Sequence, residues 1–477
     1  MATETTTRND RPEAAPADAL RAPGRRASAP RAPAILAGPR PLPAWAKAAL
    51  LTWFSASFFQ FPGIPVGNNS ALLPGHLAFP LVLPALLLGR GVLRRFTQCM
   101  TAVNVTFLVS WVMHLGASEF SNDFALKGVL CFNSYFVQIL GGLLLAACRP
   151  REIGAALLIG IGGESLVGAI QYISFANGQF PFASFFNHKA FSEFDSAAQE
   201  SFARYTQRPF GLFPEPSAMG ASLGPWLGYL LGVGLFRKQV DDSPAFKVVT
   251  WLTFVLGAAL VLVSRTGYAL ILFPALGLFA LCQARGVNLA MIVVAVGVTG
   301  LVPQLTSLWG SLADEWHAKQ TGSADSWEMR LISARYVLEN EAEMGLRDRC
   351  FGIGPFNSAA QIAGQTAGEN LASMALSLVY ENGAVGLGAG VWLLFLCVRS
   401  IKLSRIKSTG ILMLALWIAS AGIGTGYCSL PPLWSAFGLL LNWAAYCEDA
   451  GRREDQAGEA PAREHPVPVR LCGGRIP

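Results

Sequence analysis

Stretches of about twenty mostly apolar residues recur along this chain of 477 residues, and no other feature limits its fold so strongly. Twelve can be drawn: 44–61, 72–89, 97–115, 127–147, 153–176, 211–236, 248–264, 267–283, 287–305, 384–398, 409–427 and 430–446. Each is close to the length an α-helix needs to cross the hydrocarbon core of a bilayer. The shortest, 384–398, borrows from the residues before it. Charged residues make up only 14% of the chain, against about a quarter in soluble domains, and mean hydropathy is +0.42. The expected fold is therefore an all-α polytopic membrane protein with about twelve transmembrane helices, occupying residues 44–446. Residues 1–43 are rich in Ala, Pro and Arg and lack the compact apolar core of a signal peptide. They and residues 447–477 are expected to be disordered cytoplasmic tails.

Orientation follows from the basic residues of the short connectors. One alternating set of loops holds thirteen: Arg90, Arg94, Arg95, Arg149, Arg151, Arg237, Lys238, Lys247, Arg285, Arg399, Lys402, Arg405 and Lys407. The other set of short loops holds two, Lys127 and Arg265. The first set is expected in the cytoplasm, and both termini with it. Two longer segments, about 177–210 and 306–383, then fall on the opposite, periplasmic face. Loops that long carry function or are disordered. In the second, between spans nine and ten, Trp327, Leu331, Ala334 and Leu338 recur at helical spacing, and Asp325 and Glu328 stand three apart as in a capping box. This loop is expected to be helical.

Basic residues on that far face run against the topological bias and need a reason. Arg208 opens RPFGLFPEPSAMGAS at the mouth of the sixth span, Arg265 lies in the tight turn SRTG, and Arg330 lies on the helix of the large loop. Arg204, Arg335, Arg347 and Arg349 share these loops as weaker candidates. A guanidinium is a planar fork of donors that matches phosphate oxygens, so three converging would suit a diphosphate. The plainer alternative is that Arg265 snorkels to the interface and that Arg330 pairs with Glu328 or Asp325. Ionisable groups inside a membrane are costly and demand the same scrutiny. Glu164 lies in the fifth span, Glu215 at the top of the sixth between two prolines, and Glu381 just before the tenth. Glu215 and Glu381 equally suit structural pairing with nearby arginines. The glycines of GIGPFN (352–357) and ENGAVGLGAG (381–390) suit a phosphate loop weakly and close helix packing as well. The nine cysteines and five histidines are dispersed, with no metal-ligand spacing, and the net charge of +6 resides in tails and connectors rather than in a nucleic-acid surface.

In this order, RPFGLFPEPSAMGA, SRTG, a large loop with Arg330, GIGPFN, then EN and YENGAVGL, the chain resembles the superfamily of O-antigen ligases and O-antigen or exopolysaccharide polymerases over about Arg208 to Leu387. The resemblance implies a GT-C-like glycosyltransferase of the bacterial inner membrane, active on the periplasmic side without cofactor or metal. Donor and acceptor would be undecaprenyl-diphosphate-linked oligosaccharides in membrane lipid. A chain-length regulator and a flippase of the same pathway are candidate partners. Carried onto this chain, Arg208 and Arg265 would hold the diphosphate, assisted by Arg330, with Glu215 and Glu381 in support. One departure is informative. Where the ligase branch has a His–Asn pair, this chain has Glu369–Asn370. Glu369 becomes the candidate general base, and Asn370 supports it or caps a short helix over 371–380. The absent histidine favours a polymerase of repeat units over a ligase delivering finished glycan.

Two further classes stay open. A flippase would show internal repeats and functional groups near the midplane, and no convincing repeat is visible. A scaffold of an assembly complex would not need converging arginines.

Overall fold

The computed structural model describes residues 42–60, 64–65, 71–72, 90–115, 137–177, 179, 181, 208–213, 216–236, 243–283, 335–341, 343–355, 357–358, 373–423 and 430–448. The expected span 287–305 lies outside these residues, as does 72–89 apart from Leu72. So do Asp325, Trp327, Glu328, Leu331 and Ala334 of the expected loop helix.

Helices occupy the described part of each of the other ten expected spans. They are α1 (Ala44–Ala56), α2 (Arg90–Met113), α3 (137–145), α4 (Pro150–Ala176), α5 (Pro216–Leu235), α6 (Pro244–Val263), α7 (Ala269–Gln283), α10 (Met374–Lys402), α11 (Lys407–Ile423) and α12 (Pro431–Leu441). Two short helices, α8 (335–341) and α9 (Leu346–Phe351), belong to the large loop. The remaining described residues are turns and connectors, apart from a two-residue antiparallel ladder pairing Ile64 with Leu72 and Pro65 with Ala71. Four helices, α4, α5, α6 and α10, are by themselves long and apolar enough to cross a membrane.

Local chemistry sets the helix starts. Proline stands first in α4, α5, α6 and α12, where its missing N–H has no helical partner to lose. The Ser243 hydroxyl caps α6 by accepting from Phe246 N at 3.3 Å.

Packing fixes the direction of each helix. A Cβ placed on Gly154 would meet Phe246, and one on Gly168 would meet Leu260, so α4 and α6 run parallel. Gly257 faces Leu227 and Gly234 faces Trp251, so α5 runs antiparallel to both. Along α5, Gly220, Gly224, Gly228 and Gly232 form a stripe at every fourth residue, and against it lie Thr266, Tyr268, Leu416 and Thr409. Small residues at that spacing let helices approach closely where lipid supplies no hydrophobic drive. The contacts of Gly228 and Gly232 set α11 antiparallel to α5. Pro225 cannot donate to the Ala221 carbonyl, and the Ser420 hydroxyl takes that acceptor at 2.9 Å.

α5 is the centre of the bundle, with 94% of its apolar window buried, whereas α10 is peripheral at 22%. The outer faces are apolar too. Ile159, Leu166 and Ile173 of α4 and Leu387, Val391, Trp392 and Phe395 of α10 are exposed. An outward apolar face next to an apolar core is what a lipid environment selects.

The directions sort the charged residues. Lys47, Arg149, Arg151, Lys247, Arg399, Lys402, Arg405 and Lys407 lie where α1, α4, α6 and α11 begin and α10 ends. Lys47 and Glu152 pair there at 3.6 Å. This is the basic end. The other end carries 208–213, the turn after α6, the start of α10 and the α8–α9 segment.

Candidate functional site

At that second end the segment 208–213 enters α5 without helical hydrogen bonds of its own, and α4 supplies the partners. Gln171 Oε1 accepts from Phe210 N and Gly211 N, both at 2.9 Å, and its Nε2 donates to Gly211 O at 2.8 Å. Glu164 Oε2 accepts from Leu212 N at 2.7 Å. Glu164 and Gln171 are seven residues apart, two helical turns, so they share one face of α4. Both are fully buried. Gly211 has φ +60°, and a Cβ there would collide with Glu164 Oε2. Phe213 is buried and the Phe210 ring stacks on Phe175 at 6.4 Å. Half-buried Arg208 thus begins a backbone segment held at three successive residues.

Arg265 sits in the turn between α6 and α7. Ser264 closes α6 by donating its hydroxyl to Val261 O at 2.7 Å, and Thr266 Oγ1 accepts from Tyr268 N at 3.0 Å. Between them Arg265 adopts φ 50°, the one described non-glycine residue with positive φ. Such a conformation costs a side chain-bearing residue about 1 kcal/mol or more. Its Nε is buried with no hydrogen-bond partner among the described residues, while the residue as a whole is half-exposed. A strained backbone and an unused donor on one cation are unusual together in a mere interface anchor.

The GIG and YENG motifs meet each other. α10 kinks at Gly383, where φ is 58° and ψ −150°. Ile353 N donates to Tyr380 O and Gly354 N to Glu381 O, each at 3.1 Å, and Gly352 N donates to Asp348 O at 2.7 Å. With these three N–H groups engaged, the GIG turn has no free donor for a phosphate, so its glycines serve packing. A Cβ on Gly352 would strike the backbone of Glu381 and Asn382, and one on Gly383 would come within 2.6 Å of the backbone of Arg349, Cys350 and Gly352. α2 completes the junction. The Ser110 hydroxyl lies 2.7 Å from Phe351 O and 3.1 Å from Glu381 O. The His114 Nδ1 is 2.7 Å from Ser110 O, and its Nε2 faces Asp348 at 3.5 Å. The buried Glu381 carboxylate accepts from the Ser358 hydroxyl.

Of the residues singled out from sequence, Arg208, Arg265 and Glu381 therefore lie at one end of the bundle, opposite the basic end. Glu215, Arg330, Glu369 and Asn370 lie outside the described residues. Two expectations are corrected, the start of the helix over 371–380 and the packing face of the loop helix. The helix expected over 371–380 starts at Met374, where Ser373 is its cap, its hydroxyl accepting from Leu376 N at 3.4 Å. The span over 384–398 borrows from the residues before it as expected, being part of a helix of 29 residues. Leu338, the last of the apolar residues recurring at helical spacing in the loop helix, is 65% exposed; Val337 is buried instead, and Tyr336 packs edge-on to Tyr380 at 6.1 Å. Arg335 and Arg347 pair with exposed Glu339 and with Asp348.

Gln171 was not singled out at all. The signal was present: an amide seven residues after Glu164 in an otherwise apolar helix marks one polar face. Among the described residues no group of three His, Cys, Asp or Glu side chains is arranged to hold a metal ion. No protein-family model and no curated protein matches this chain.

Proposed function

We propose that this protein is a membrane glycosyltransferase that polymerises undecaprenyl-diphosphate-linked oligosaccharide repeat units, with both termini in the cytoplasm and its chemistry on the periplasmic face. The observation that carries this reading is Arg265. It is a cation at the end of the bundle opposite the basic end, in a strained turn, with a donor that no described protein group uses. Arg208 begins a rigidly held segment at the same end. An anionic group from outside the chain accounts for both, and a lipid-linked diphosphate is an anion presented at that depth.

The reaction is a single displacement. A hydroxyl of the acceptor unit attacks the anomeric carbon of the donor glycan from the face opposite the phosphate oxygen. The new glycosidic C–O bond forms as the bond to the diphosphate breaks, and undecaprenyl diphosphate leaves with the electron pair. Glu369 takes the hydroxyl proton. Arg208 and Arg265, with Arg330, stabilise the charge that grows on the leaving diphosphate, which is where fixed cations lower a barrier most.

The test is turnover of the purified protein with its lipid-diphosphate-linked repeat unit. A ladder of glycan from wild type, and none from folded Arg265→Ala, is the expected result. Transfer of preformed glycan to an acceptor that is not a repeat unit would make the protein a ligase. Lipid-linked substrate crossing vesicle membranes without any glycan product would make it a transporter.

A further inference from the structure

Two buried polar side chains on an apolar helix remain outside the reaction just described. Burying an amide and a carboxyl group is unfavourable unless hydrogen bonds compensate. Glu164 and Gln171 direct their described hydrogen bonds at the backbone of Phe210, Gly211 and Leu212 rather than at another side chain. Those backbone groups belong to no helix or strand, so in apolar surroundings they need such partners. The result is a turn with one allowed shape. Gln171 brackets Gly211 from N–H to carbonyl, and Glu164 occupies the space a Cβ at 211 would need. Phe175 closes it by stacking on Phe210. Three residues of backbone are thereby fixed just after Arg208.

We infer that Glu164 and Gln171 are positioning residues: they set the Arg208 segment so that its guanidinium meets the diphosphate of the lipid-linked substrate. This rests on the proposed function. Neither residue touches the substrate. A long cation on a loose loop loses rotamer and backbone freedom each time it binds, and a preformed turn removes that loss from the binding step. The effect of breaking the clamp therefore falls on affinity for the diphosphate and on KM, with kcat changed less. Glu164 Oε1 is buried without a hydrogen-bond partner among the described residues. An amide oxygen can take the place of Oε2 toward Leu212 N, so Glu164→Gln is expected to keep the clamp.

The experiment measures binding of sugar-free undecaprenyl diphosphate to the full chain in detergent micelles, beside steady-state turnover. Variants are Arg208→Ala, Glu164→Ala, Glu164→Gln, Gln171→Ala and Gly211→Ala, each checked for folding by its melting transition. Loss of one or two clamp hydrogen bonds corresponds to roughly ten-fold weaker binding. Glu164→Ala and Gln171→Ala should show that loss, with KM rising in parallel, and Glu164→Gln should bind like wild type. If Glu164→Ala does not fold, Gln171→Ala and Glu164→Gln carry the test. A second readout is specific to the geometry. Gly211→Ala should weaken binding in the wild-type background and less in the Glu164→Ala background, where the colliding oxygen is gone. Wild type and Arg208→Ala differing while the clamp variants bind like wild type would overturn the positioning role and leave the proposed function standing. Wild type failing to bind any lipid diphosphate would overturn both.

Discussion

Two glycine-bearing turns lie at the same end of this bundle and are built in opposite ways. In the first, around Gly211, backbone donors point at side chains: a glutamine and a glutamate on α4 hold the chain. In the second, around Gly352 and Gly383, backbone meets backbone, and the glycines are there because nothing larger fits. The first turn leaves a cation at its edge. The second consumes its own N–H groups. A glycine-rich motif is therefore a poor guide to phosphate chemistry here; what matters is whether its donors are already engaged. By that measure the proposed diphosphate site rests on arginines and not on the glycine-rich turn.

This contrast can be broken by substitution. The largest effect is expected at the backbone-packed turn. Gly352→Ala forces a Cβ against the Glu381 carbonyl and adds left-handed strain at φ +73°, for a loss of about 4 kcal/mol. Thermal unfolding in detergent would read this, with Gly388→Ala as control. Gly388 has nothing within 4 Å of its added Cβ, so the helix should gain up to about 1 kcal/mol. Equal melting of the two variants would dissolve the distinction.

Arg265→Ala is expected next, through activity rather than stability. Under the proposed function, loss of one preorganised donor to the leaving group should slow transfer about a hundred-fold, with the melting transition unchanged. Arg265→Gly sharpens this. It should be as inactive as Arg265→Ala but more stable by about 1 kcal/mol, since glycine tolerates the left-handed turn. An Arg265→Gly protein no more stable than Arg265→Ala would show that the turn stores no strain.

Asp348→Asn should have a smaller effect, at most about 1 kcal/mol in the melt, because Asp348 is partly solvated where it faces His114. Arg335→Ala, which breaks an exposed pair, should leave both melting and turnover unmeasurably changed.

Sequence alone carried some of this. The helical segments were legible because apolar runs of that length have few other uses, and Arg265 was legible because a cation on the sparsely charged side stands out. What escaped was phase and partnership. Val337 and Tyr336, not Leu338, face the start of α10, since one turn of an amphipathic helix does not state its own rotation. A break at Gly383 was legible, since it falls between the short helix expected over 371–380 and the span expected over 384–398, but its origin was not. Its cause is the GIG turn far earlier in the chain, a contact that no local pattern records. Glu164 was noticed as a buried acid, but its partner is a main-chain N–H, and main-chain partners have no signature in sequence.

The clamp has one more consequence, for biogenesis. Glu164 and the Leu212 N–H that donates to it are separated by 48 residues. At a synthesis rate of about 5–20 residues per second, α4 waits roughly 2–10 s before the segment that satisfies it is made. Over that interval a nascent α4 presents an acid and an amide along one side of a helix otherwise suited to lipid. Insertion machinery or an early neighbour such as α1 must shelter that side, so α4 enters the bilayer as an unfinished part whose completion depends on the arrival of α5.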